Sequence, residues 1–405
     1  MPTPRRILLI RLSHLGDVIQ ALPLFHALRA AYPEAALAWA VQEEFADLVG
    51  GLPGLERVIT FSRKGGLGAW AAMGAELAAF APDWTVDAQG NTKSALTALC
   101  SGAPRRTGLA RRHWREGFAA GSSTDLAPAP QPGRAPLHGL ERVLLLARHC
   151  AGAAGLPQAP FRRDPGLAPR ELADGRRALS AGLASPTPSA PESGTPAGAA
   201  APILLHLSRA GDPRSWPAEH FADLVDLLAP HLPLLVLAGP AEEAEAAALE
   251  DRDIPVMRQA GQRQLAGILA AAAAVGGRLV AGDSGPAHLA AAVDLPVTLL
   301  AGPQDAGLTG PWPLPASNRA PASHHRVLRR GDLHCSPCRS RTCTAARGPI
   351  CMTELTPATV VEDLLRPAPG EARERAQDRD QDRESGLETR PPFARTPSTA
   401  APQAG

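Results

Sequence analysis

The sequence predicts an α/β protein with two lobes of similar build, each a mostly parallel sheet with helices on both faces. Three observations predict it. Strand, polar loop and helix alternate from Arg5 to about Cys150, which is the order of a parallel sheet. After a stretch of proline, serine, glycine and alanine, the same alternation begins again at Ile203. The 405 residues, 44% of them hydrophobic, suffice for two or three domains with real cores. Those cores must rest on Leu, Val and Ala, because only 4% of the residues are aromatic.

RRILLIRL, rich in Ile and Leu, reads as the first strand, and SHLG as the turn that follows. Asp17 opens a helix to about Tyr32, with Ile19, Leu22, Phe25 and Leu28 at helical spacing, and Pro33 ends it. AALAWAVQ is the second strand, with a short helix from Glu43, and ERVITF is the third. DWTVDAQG is a strand with a polar tip, leading into a helix through about Leu99. RRTGLA opens a further strand or loop, and 136–156 forms another helix. SAGLASPTPSAPESGTPAGAAAP, from Ser180 to Pro202, cannot build a core and reads as a flexible connection. Beyond it come a strand at 203–207, a helix from about Pro217 to Leu228, the strand LPLLVLAG and the helix EEAEAAALE. A helix over 262–274, the strand RLVAG, the helix PAHLAAAV and the strand PVTLLAG complete the second lobe. The expected division is therefore 1–179, a connection over 180–202, a second lobe over 203–365 and a tail over 366–405. The tail's Pro, Ala, Gly and mixed charge read as disorder.

Ligands of such sheets sit beyond the carboxyl ends of the strands, and two lobes make the cleft between them the natural site. Three strand-to-helix loops carry candidates. In SHLGD, Asp17 stands where amide donors and the helix dipole favour a carboxylate. It is either an ordinary helix cap or a general base facing the cleft, and Gly16 would let a ligand approach the backbone. In HLSRAGDPRSWP, Ser208, Arg209 and Arg214 precede a helix start. They form either a phosphate cradle or a charged surface loop. In GDSGPAHLAA, Asp283, Ser284 and Gly285 end a strand, Pro286 begins a helix, and His288 lies on its first turn. Ser284 and Gly285 could hold phosphate, while His288 orients the loop or merely packs.

Composition and motifs exclude other classes. The formal net charge of +1 does not suggest a nucleic-acid binder. No GxGxxG follows the first strand, and GxxxxGK[ST], HExxH and GxSxG are absent. No signal peptide or membrane-spanning run is visible. The expected location is the cytoplasm, with peripheral contact at the inner face of the cytoplasmic membrane left open. Cys335, Cys338, Cys343 and Cys351 cluster late in the chain. They read either as free thiols in a compact loop or as a zinc clip, since CxxC is half of a usual site.

Four segments, in order, resemble the bacterial heptosyltransferases of glycosyltransferase family 9. They are ILLIRLSHLGDVIQALPLFHALRAAYP, VDAQGNTKSALTALCSGAPRRTGLA, SWPAEHFADLVDLL and GDSGPAHLAAAVDLPVTLLAGP. The resemblance covers about 5–365 and implies a GT-B fold, two Rossmann-like lobes around a deep cleft. It implies inverting transfer of heptose from ADP-heptose to a lipopolysaccharide core, with no bound metal and no other cofactor. By the same resemblance Asp17 is the catalytic base, Arg214 stands where lysine is commoner against the donor phosphates, and Ser208 is a phosphate ligand. Glu242 is the acid near the donor ribose, and Asp283, Ser284, Gly285 and His288 match the family's D-[ST]-G-x-x-H donor loop. Arg63, Lys64 and the RRHWR segment at 111–115 are candidates for holding an anionic glycan or glycolipid acceptor, or are solvated basic loops. Two other readings stay open at this point: a nucleotide-sugar epimerase of the same architecture, and a non-catalytic nucleotide-sugar-binding protein.

Overall fold

The chain folds as its apolar runs dictate, around strands whose two faces are both covered. In the first strand Ile7 and Leu9 point into one core and Leu8 and Ile10 into another, and all four are buried. Burying each such side chain contributes about 1.5–3 kcal/mol. That two-sided burial is why the strand is a continuous hydrophobic run instead of an alternating one. The computed structural model describes residues 3–129, 136–152, 162–184, 200–313 and 324–366.

The first sheet contains β1 (Arg6–Ile10), β2 (Ala36–Gln42), β3 (Arg57–Phe61), β4 (Trp84–Asp87), β5 (Arg105–Gly108) and β6 (Asp125–Leu126). All are parallel, in the order β3-β2-β1-β4-β5-β6. The helices of this half are α1 (Leu15–Gln20), α2 (Leu22–Ala31), α3 (Ala46–Gly50), α4 (Gly66–Phe80), α5 (Thr92–Cys100) and α6 (Gly139–Ala151); α7 (Pro169–Leu183) comes next in the chain and packs on the second lobe. The second sheet follows with β7 (Ile203–His206), α8 (Ala218–Leu228), β8 (Leu234–Ala238), α9 (Glu243–Glu250), β9 (Val256–Arg258), α10 (Gln262–Ala274) and β10 (Arg278–Gly282). It closes with α11 (Gly285–Ala292), β11 (Val297–Leu300), α12 (Ala306–Thr309), β12 (Arg326–Leu328), α13 (Ile350–Thr353) and α14 (Pro357–Leu365). Its strands are also parallel, in the order β12-β11-β10-β7-β8-β9. In both sheets the first strand therefore lies between the second and the fourth. That is the Rossmann order, with a reversal of winding at β1/β4 and again at β7/β10.

Several elements differ from the sequence reading. The helix expected from Asp17 to Tyr32 is two helices, broken at Ala21. Pro23 has no N–H for the Ile19 carbonyl, so one continuous helix cannot form there. The helix expected over 136–156 starts only at Gly139, because the His138 ring accepts a hydrogen bond from Leu140 N at 3.1 Å and caps it. Its expected last residues, beyond Gly152, lie outside the described residues. Helices α4, α7, α12, α13 and α14 and strands β6, β9 and β12 were not foreseen. In α4, three glycines and a run of alanines blur the period, and only Met73, Leu77 and Phe80 are buried. Ser180–Leu183, counted with the flexible connection, form the last turn of α7. Most of the remaining connection, and the tail beyond Arg366, lie outside the described residues.

Helix α7 carries the chain onto the second lobe, and the lobes meet beside it. A Cβ on Gly175 of α7 would stand 2.1 Å from the Gly267 carbonyl oxygen of α10, so the two backbones touch there. Asp47 of the first lobe accepts from Gln262 N at 2.8 Å and caps α10. Arg263, its side chain 12% exposed, pairs with Glu171 and donates to the carbonyls of Leu48, Pro165 and Gly166, each at 3.1 Å.

Candidate active site

The two switch points face each other. Helix α1 leaves the end of β1, helix α11 leaves the end of β10, and their first turns pack together. A Cβ on Gly16 would lie 2.5 Å from His288 Cδ2, and one on Gly285 would lie 2.3 Å from Leu15 Cδ2. Small residues at both points let two helix N-termini, each with unsatisfied amides and a positive dipole end, converge on one place.

Asp17 does not cap α1; His14 is the cap residue, and Asp17 sits in the first turn. Its Oδ2 accepts from His14 N at 3.3 Å, and its Oδ1 pairs with Arg11 Nη2 at 2.7 Å. Burial raises the carboxyl's pKa, but the Arg11 guanidinium and the His14 amide outweigh it and hold the group below the usual carboxylate range. Asp17 is thus ionised, and its side chain, 41% exposed, is open to a substrate. Arg11 is braced by the Ala88 carbonyl at 2.5 Å, and Gln89 Oε1 accepts from Leu12 N at 2.7 Å. Both partners come from the end of β4, the other side of the switch point. Arg11 and Gln89 escaped the sequence reading; their position at the ends of the two switch-point strands was the available signal.

The opposite wall is built from β7 and β10. Asp283 is buried beside His288, with Oδ1 to Nε2 at 3.8 Å, and accepts from the Thr309 hydroxyl at 3.0 Å. Burial raises the Asp283 pKa, against the pull of His288, Thr309 and Arg214. Burial lowers that of His288, which is accordingly neutral and serves as packing against Gly16. Ser284 stands at the N-cap position of α11 with extended backbone, its hydroxyl donating to the Gly282 carbonyl at 3.2 Å, and Gly285 and Pro286 form the first turn. Arg214 is held by both oxygens of Asp212, at 2.9 and 2.6 Å, and its Nη1 reaches the Asp283 carbonyl at 3.4 Å. Hydrogen bonding to Asp212 raises the guanidinium pKa further. Ser208 Oγ lies beside Gly282.

The structure therefore brings Asp17, Ser208, Arg214, Asp283, Ser284, Gly285 and His288 to one place. Arg209 shares the loop after β7 with Ser208 and Arg214, and Glu242 lies one strand further along the second sheet. Glu242 follows β8, accepts from Gly239 N at 3.0 Å, and burial raises its pKa while Arg209 lowers it. On the first lobe, Arg63 and Lys64 are exposed after β3. In the 111–115 segment Trp114 is buried and Arg115 faces solvent next to Glu116. Arg142 of α6 was not foreseen; burial lowers its pKa, and it feels the charges of Arg11, Asp17 and Arg339. It adds a second guanidinium, after Arg11, near the Asp17 carboxylate, a place suited to an anion.

Among the described residues no helix is long and apolar enough to cross a membrane. The model of glycosyltransferase family 9 (heptosyltransferase) matches residues 70–347. Lipopolysaccharide heptosyltransferase 1 of Pseudomonas aeruginosa is 30% identical over 389 residues, 89% of this chain and 97% of that protein. Lipopolysaccharide heptosyltransferase 2 of Escherichia coli K12 is 27% identical over 377 residues, again 89% and 97% of the two chains. Two solved structures share the fold. The family 9 glycosyl transferase from Veillonella parvula has a TM-score of 0.67 at 19% identity, over 89% of this chain and 97% of that one. The E. coli heptosyltransferase WaaC with ADP has a TM-score of 0.61 at 23% identity, over 89% and 98%. With a family model matched over more than half of its length and a relative 30% identical along nearly all of it, the chain belongs to glycosyltransferase family 9, the heptosyltransferases.

Proposed function

We propose that this glycosyltransferase moves heptose from ADP-heptose to an anionic, lipopolysaccharide-core-like acceptor, with inversion at the anomeric carbon. One observation carries the reading: an ionised carboxylate on one switch point faces a cation, hydroxyls and helix amides on the other. Asp17 takes the proton of the acceptor hydroxyl as that oxygen attacks. Charge grows on the ADP oxygen as the sugar bond breaks. Arg214, Ser208 and the amides of Ser284 and Gly285 stabilise it. Asp283, buried behind them, holds the Arg214 loop through its carbonyl and is fixed in turn by Thr309. Glu242, after β8, and Arg209, after β7 and acting on it, lie on the side where the nucleoside would extend.

Asp17, paired with Arg11, is a weak base. That suits a transition state in which the leaving group departs early and the sugar is cation-like, so that little proton transfer is needed at the barrier. Arg142 and the exposed Arg63, Lys64 and Arg115 are the groups that would hold acceptor anions. Leu67 and Phe118, 89% and 75% exposed on the same lobe, supply apolar contacts for peripheral docking at the inner membrane face that carries a lipid-linked acceptor.

The test is a donor panel with deacylated and lipid-linked core acceptors, read by ADP release and product mass. ADP-heptose should give a heptosylated product of inverted configuration. Release of free or epimerised sugar, or donor binding without turnover across the panel, would overturn the proposal.

A further inference from the structure

The segment from Arg329 to Pro349 has neither helix nor strand, and most of it is exposed. Segments of this length without regular structure are uncommon in compact domains and are usually either functional or linkers. Yet it is placed against the active site. Its backbone is tied down by Arg339 N to the Pro303 carbonyl at 2.7 Å and by the Ser336 hydroxyl to the Gly302 carbonyl at 2.8 Å. The charge of Arg339 is felt at Arg142, and that of Arg341 at His14, the residue that caps the Asp17 helix. The segment thus presents two guanidiniums to the catalytic end of the cleft, with almost no apolar core of its own to hold them there.

What it has instead is sulfur. Cys335, Cys338, Cys343 and Cys351 all line one pocket, which also touches Pro213, the neighbour of Arg214. The other three thiols all act on Cys351, whose Sγ is buried against Gly302. None of the four is in a disulfide, and the three on the segment are exposed. Arg339, Arg341 and Arg347 lie within the same stretch. Among the described residues no three His, Cys, Asp or Glu side chains already stand in a cage fit for an ion. Closing the site therefore requires the segment to draw its three thiols toward Cys351, and that movement would order it.

We propose that these four cysteines form a tetrathiolate site for a thiophilic divalent cation, zinc in the test below, which fixes the segment carrying Arg339 and Arg341 over the cleft. Four thiols bind one Zn²⁺ and release up to four protons to solvent. The net negative charge of the centre is balanced by the neighbouring arginines. No redox change is involved, and the site is structural, apart from the transfer chemistry.

The experiment uses the full chain, purified through a tag that does not bind metal, supplied with zinc and then desalted. Elemental analysis should find about one zinc per chain. Cys343→Ser and Cys351→Ser should lose most of it, while Cys100→Ser, at an exposed thiol outside the cluster, should keep it. With zinc bound, the cluster thiols should resist Ellman's reagent, and trypsin should cut after Arg339 and Arg341 about tenfold more slowly than after chelation. Three results would each overturn the proposal. One is a zinc content equal in the wild type and in a variant with all four cysteines changed to serine. Another is cluster thiols that all react at once in the zinc-treated protein. The third is a disulfide among them in place of metal. None of these readouts uses the transfer reaction, so failure here is distinct from failure of the proposed function.

Discussion

The two switch points are the same piece of topology with opposite charge. At β1/β4 the strand ends supply a carboxylate, Asp17, and a guanidinium, Arg11, that holds it at 2.7 Å. At β7/β10 they supply a guanidinium, Arg214, and a carboxylate, Asp212, that holds it at 2.6 Å. Each working charge is already paired with a partner from its own lobe. The comparison teaches that parallel-sheet geometry decides where a site forms, whereas the sign of the leading charge decides which half of the reaction each lobe serves. It also implies that a substrate does not meet bare charges. It competes with Arg11 on one side and Asp212 on the other.

The comparison can be broken most severely at Asp17. Asp17→Asn should lower kcat by about 10²–10⁴-fold while the Kd for ADP stays nearly unchanged. Turnover within a few-fold of wild type would remove the residue as base. Next comes the contact that joins the halves. Gly16→Ala places a methyl 2.5 Å from His288 Cδ2, so α1 and α11 must part. A displacement near 1 Å should cost about 10²-fold in kcat/KM, and Gly16→Ala/His288→Ala, which makes room, should recover part of it. On the other lobe, Arg214→Ala should weaken ADP about 10–100-fold, the worth of a charge-assisted hydrogen bond, and adenosine far less. Equal losses for the two ligands would detach Arg214 from the phosphates.

The smallest effect near neutrality concerns stability. Burial pushes His206, His138 and His325 down to about 4, so they stay neutral in the fold. Unfolded, each takes a proton below about pH 6.5. Their contribution is therefore complete above pH 6.5 and is lost as the pH falls toward 4, by up to ~3 kcal/mol per site. Urea titrations should show a flat midpoint above pH 7 and a steep fall below 6. His206→Gln should make that fall shallower, and an unchanged slope would show that His206 does not contribute.

Much of this was legible in the sequence. The strands of the two sheet centres declared themselves because burial on both faces leaves uninterrupted Ile, Leu and Val. The strand-end residues Asp17, Arg214 and Asp283 stood out because polar groups at such ends have few structural uses. The kink at Ala21 is signalled by Pro23, but the helical period of the apolar residues runs straight across it. Edge strands β6 and β9 were not legible, since two or three half-exposed residues carry no pattern. Nor was Arg11, which looks like the last charge of an apolar run until the fold lays Ala88 and Asp17 beside it. The pairing of Arg214 with Asp212 needed only a distance of two residues, yet its bidentate form depends on a loop conformation that no period describes.

The backbone contact between Gly175 and Gly267 has a bearing on how this chain could be cut and rejoined. Because α7 rests on α10, the polypeptide has already reached the second lobe before the proline-rich text begins. A protease nick, an inserted tag or new termini placed within 185–199 would fall between Ala184 and Ala200, both of which adjoin elements of the second lobe, and catalysis should survive it. The same operation at 162–168, where the chain actually crosses and where Arg263 grips the Pro165 and Gly166 carbonyls, should uncouple the halves.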